Sequence, residues 1–67
     1  MSSVEAIATL LTKVFGFAVG SKTYDDMTRE HKLKILLEGI NVALDQGDSD
    51  SVDRLFAEYR QLRQQTS

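Results

Sequence analysis

His31 is the single imidazole in a chain without cysteine, so any chemistry must come from hydroxyls, carboxylates and amines. A nucleophilic enzyme needs a Ser, Thr or Cys beside a base that a third group orients. His31 sits in "TREHKLK", with no serine near it on the same helical pattern. One His and no Cys exclude an imidazole or thiolate zinc cluster within one chain. No glycine-rich phosphate loop is present. These gaps predict a protein that is not an enzyme, with no catalytic residue, no resident metal and no cofactor.

The acids of "GDSDSVD" are the nearest thing to a metal motif. A calcium loop of the EF-hand kind needs Gly at its sixth position and Glu at its twelfth. Counting from Asp48, those places hold Asp53 and Tyr59. The match fails, and Asp48, Ser49 and Asp50 read as helix N-caps.

Phosphate binding is the next chemistry to weigh. Eight Lys and Arg against ten Asp and Glu leave a formal charge of −2, without the contiguous basic field that nucleic acid wants. Arg60 and Arg63 stand one turn apart and are the residues a dimeric nucleic-acid regulator would use. Asp53 and Glu58 share their helix, so nucleic acid is the weaker expectation.

These groups must be positioned by helices. Pro is absent, glycine occurs four times and 42% of the residues are apolar, a composition that folds and favours uninterrupted helix. From Val4 to Val19, Val4, Ile7, Ala8, Leu10, Leu11, Val14, Phe15, Ala18 and Val19 recur at helical spacing and fill one half of the circumference. Lys13 interrupts the run, which is also shorter than the roughly 20 apolar residues of a membrane span. "MSSVEA" lacks the basic start of a secretory signal. A peripheral membrane helix is the rival reading, but it would carry a basic polar face. Gly20 is expected to end this helix, rather than Gly16 and Gly20 forming a close helix contact.

Thr23 and Asp26 form a capping-box pattern at the start of a second helix, and Thr28 offers a later cap that would leave its first turn irregular. Gly47 should end it. Two apolar sectors run along this helix. Leu33, Leu36, Leu37, Ile40, Ala43 and Leu44 form a broad stripe, and Tyr24, Met27, His31, Ile35 and Val42 fall on another. A third helix carries Val52, Leu55, Phe56, Tyr59 and Leu62 in a narrow seam, ahead of a polar tail.

The expected fold is therefore all-α: a small three-helix bundle, or a helical hairpin with an additional amphipathic helix, in a single domain spanning 1–67. Helices are expected near 3–20, 24–46 and 49–64, antiparallel because their connections are short. Ile7, Leu11, Val14, Leu33, Leu36, Leu37, Ile40, Leu55, Phe56 and Tyr59 are the expected core. Replacing Leu37 or Ile40 by Ala should cost roughly 2–5 kcal/mol.

So short a chain buries little surface and often self-associates. The second apolar sector has no evident partner within the chain, and such faces become interfaces. The functional expectation is a cytoplasmic helical interaction module, homodimeric, that regulates or inhibits another protein. Its contact residues would be Phe17, Tyr24, Met27, His31, Ile35 and Val42.

Overall fold

A computed structural model describes residues 3–65. It contains α1 (Ser3–Phe15), α2 (Ser21–Asp25), α3 (Arg29–Asp45) and α4 (Ser49–Gln64), with no strand among the described residues. The all-α expectation holds, and the last helix matches its expected bounds. Thr66 and Ser67 of the expected polar tail lie outside the described residues.

α1 buries Ile7, Ala8, Leu11 and Val14, the i, i+1, i+4, i+7 pattern of one helix face. It ends at Phe15, five residues before its expected end. The cause is Gly16, whose φ of +74° lies in the left-handed region where a side chain is costly. Its N–H still donates to the Thr12 carbonyl at 2.9 Å. Thr12 then ties the departing chain back. Its hydroxyl donates to the Ala8 carbonyl at 2.9 Å and accepts from the Val19 N–H at 2.9 Å. That clasp turns Val19 into the core. Gly20 is the N-cap residue of α2 rather than the terminator of α1.

The expected helix over 24–46 is two helices. α2 closes on itself through Asp26 N–H to Lys22 O and Met27 N–H to Tyr24 O. The Thr28 side chain then caps α3, accepting from the His31 N–H at 3.2 Å. The later cap prevails because Thr28 is extended, with ψ at 159°, so the helix cannot run through it. The short α2 delivers Tyr24 to the core.

At the far end of α3, Gly47 takes φ +72° and the Asp48 N–H donates to the Ala43 carbonyl at 2.9 Å. This six-to-one bond is the Schellman closure. Asp48 immediately caps α4 by accepting from the Ser51 N–H at 3.2 Å. Three residues between the helices force α3 and α4 into an antiparallel hairpin, which holds the largest interface in the molecule. α1 packs on both of its helices and on α2.

Gly39 decides where α1 lies on that hairpin. A Cβ at this position would stand 3.1 Å from Leu11 Cδ2 and 3.3 Å from Leu55 Cδ1. The missing side chain is what lets α1 settle this close. The buried face of α3 is therefore centred on Leu36, Gly39, Ile40 and Ala43. Four expected core residues move as a result. Leu37 and Phe56 are 44% and 45% exposed, while Leu33 and Tyr59 are only partly buried. Ile7, Leu11, Val14, Leu36, Ile40 and Leu55 are core as expected, joined by Ala43, Val19, Tyr24 and Leu62.

Candidate functional site

The polar cluster closest to a catalytic arrangement is Lys13, Asp48 and Ser51. Asp48 accepts from the Ser51 hydroxyl at 2.7 Å and pairs with Lys13 Nζ at 3.2 Å. The two hydrogen bonds from Ser51, and then the ammonium of Lys13, hold the Asp48 carboxyl below its ordinary value. A carboxylate stabilised in this way is a poor base. Ser51 is itself buried, so its hydroxyl has no approach for a substrate. The cluster caps α4 and ties α1 to the hairpin turn. Among the described residues no group of three or more His, Cys, Asp or Glu side chains could hold a metal ion.

The expected contact residues do not share one open surface. Tyr24 is 2% exposed and belongs to the core, so it is unavailable to a partner. Burial raises its phenol pKa, and the nearby Glu58 carboxylate adds to that shift. The hydroxyl itself makes no hydrogen bond to the protein. Lys32 stands 5.3 Å from the centre of the Tyr24 ring. Met27, Ile35 and Val42 are partly buried against the core, and His31 is exposed at the start of α3. Phe17 is 59% exposed in the segment between α1 and α2, with its ring 5.5 Å from that of Phe15.

A different surface is open. At 100° per residue, Leu33, Leu37 and Leu44 lie on the flank of α3 turned away from Gly39, and so away from α1. Val52, Phe56 and Tyr59 lie on the corresponding flank of α4. Because the two helices run antiparallel, both flanks fall on the same side of the hairpin. Leu44, Val52 and Asp53 line one crevice at the turn end of this side. Leu44 is the most exposed, at 61%.

The far end of the face is aromatic and basic. The Phe56 and Tyr59 rings are 6.2 Å apart. The guanidinium of Arg60 stands 5.4 Å from the Phe56 ring centre, and that of Arg63 stands 6.0 Å from Tyr59. This geometry suits cation–π attraction and covers part of each ring with an amphipathic side chain. The structure thus brings Arg60 and Arg63 together, on aromatic rings rather than in a continuous basic field.

Periodicity alone put Leu37 and Phe56 inside, since a helical wheel shows which residues share a face but not where the neighbour sits. The available signal is Gly39 between the two apolar sectors of α3, where a missing side chain permits close approach by another helix. No family model, curated protein or solved structure matches this chain. No helix of the described residues is long and apolar enough to cross a membrane.

Proposed function

We propose that this protein is a non-enzymatic helical interaction module that docks the open face of its α3–α4 hairpin on another protein chain. One observation carries the reading: Leu37, Leu44 and Phe56 are large, apolar and 44–61% exposed on one side of a hairpin whose other side is packed. Scattered apolar residues need no explanation, but a contiguous set of this kind marks an interaction site. Aromatic residues and Arg are enriched in such interfaces, and this face has both. The lack of cysteine suits a reducing compartment such as the cytoplasm. Covering a surface of its target is how so small a module would regulate or inhibit it.

The test is site-specific photo-crosslinking in cells that make the protein. A photoreactive residue at position 37 or 56 should give one defined protein adduct, and the same residue at position 9 or 38 should give none. Equal labelling from both pairs of positions contradicts the reading. So does labelling of nucleic acid alone from position 56, which would favour the regulator that uses Arg60 and Arg63.

A further inference from the structure

We infer that residues 17–27 form a strap that opens as one unit while α1, α3 and α4 stay folded, drawing Tyr24 out of its seat beside Lys32 and Glu58. The inference goes beyond the docking face and does not depend on it. At 100° per residue, Lys32 and Glu58 lie on the flanks of α3 and α4 opposite those of Leu37 and Phe56. The strap therefore works on the other side of the hairpin.

Both ends of the segment are breaks in the helical backbone. Gly16 stands at φ +74° and Thr28 is extended, so neither carries a helix through. Between them the regular structure is α2, five residues long. A helix of that length is not stable by itself in water. Its N-cap, Gly20, supplies no side-chain hydrogen bond, and its first turn holds no acid. α2 packs chiefly on α1, whereas α1, α3 and α4 each pack on the other two. The three long helices close a core among themselves, and the strap is added to it.

Few attachments hold the strap down. Val19 and Tyr24 are its buried side chains, Met27 packs at the edge of the core, and the Thr12 hydroxyl accepts from the Val19 N–H. Tyr24 is the link to the hairpin. The Lys32 ammonium of α3 stands 5.3 Å from its ring centre, and the Glu58 carboxylate of α4 is near enough to act on its phenol. The ring is buried, but its hydroxyl makes no hydrogen bond to the protein. Closing the strap thus hides an apolar ring together with a desolvated polar group, and opening returns that group to water. A short uncapped helix, few buried contacts and an unpaired hydroxyl mark the segment as the one that opens first.

Amide hydrogen exchange, followed residue by residue in increasing urea, tests the strap. Four amides report on it: Val19 bonded to Thr12 Oγ1, Tyr24 to the Gly20 carbonyl, Asp26 to that of Lys22, and Met27 to that of Tyr24. In the unaltered protein all four should exchange at least roughly tenfold faster than the amides of Leu36 and Ile40. They should share one shallow dependence on urea, because little surface is exposed in the opening. Tyr24→Phe keeps the ring and removes the hydroxyl, so it should slow all four by a common factor of about ten. Thr12→Val releases the clasp and should speed all four by a common factor of about five or more. Circular dichroism checks that both variants keep their helices. Strap amides that match Leu36 and Ile40 in rate and urea dependence would overturn the separate opening. So would a Thr12→Val protein in which Val19 alone exchanges faster, since the residues would then open singly. A Tyr24→Phe protein whose strap opens more readily than the unaltered one would overturn the part given to the hydroxyl.

Discussion

Leu36 and Leu37 are adjacent in sequence and opposite in fate. Leu36 is fully buried while Leu37 is 44% exposed, so Leu36→Ala should lose about 2–5 kcal/mol by the transfer and cavity terms. Leu37→Ala should lose well under that in the monomer, and urea denaturation at low protein concentration distinguishes the two. Gly39 makes the same point from the other side. A valine there would push branched methyls into Leu11 and Leu55, both fully buried, and overpacking of this kind costs about 1–3 kcal/mol. Equal stability of Gly39→Val and the unaltered protein would contradict the close approach of α1.

Asp48 gives the pH behaviour at this scale. Its carboxyl is lowered in the folded protein, first by Ser51 and then by Lys13. A group with a depressed folded pKa stabilises the fold above its unfolded value, and that stabilisation is lost as pH falls through the folded value. The stability gap between the unaltered protein and Asp48→Asn should therefore be present near neutrality. It should close as the pH drops below the ordinary carboxylate range. A gap that widens toward acid would have the wrong sign.

At the scale of elements, the sequence makes the helices legible and their breaks less so. The α4 bounds, the Gly47 terminator and the Asp48 cap all follow from residue types whose reasons are local. The break at Gly16 was harder to read, because Phe17, Ala18 and Val19 continue the apolar pattern after the helix has stopped. What stops it is a left-handed glycine together with the Thr12 clasp, which is a contact between residues seven apart. Thr12→Val keeps the shape but removes the acceptor of the Val19 N–H, and an unsatisfied donor costs about 1–3 kcal/mol when water is excluded. Faster amide exchange at Val19, with α4 unchanged, is the expected signature. Thr28→Ala should likewise cost about 0.5–2 kcal/mol as a lost N-cap, read by thermal unfolding.

For the whole molecule, the central claim is a division of labour between the two sides of one hairpin. One side takes α1 over Gly39, and the other, carrying Leu37, Leu44 and Phe56, is left for a partner. Apolar periodicity reveals the total apolar surface of α3 and α4 but cannot divide it, because the division depends on where α1 comes to rest. Hence Tyr24, Met27, Ile35 and Val42, four of the six expected contact residues, fall within or against the core.

The most direct test compares neighbouring residues on α4, Leu55 and Phe56, in a paired measurement of fold and association. Circular dichroism and thermal unfolding report the fold, and crosslinking yield from position 37 reports docking. Leu55→Asp places a charge where the side chain is fully buried and should abolish the helical signal. Phe56→Asp should keep the helical signal and the melting temperature of the monomer, and lose the crosslink. A Phe56→Asp protein that unfolds, or that stays folded and crosslinks as well as the unaltered chain, would contradict the account.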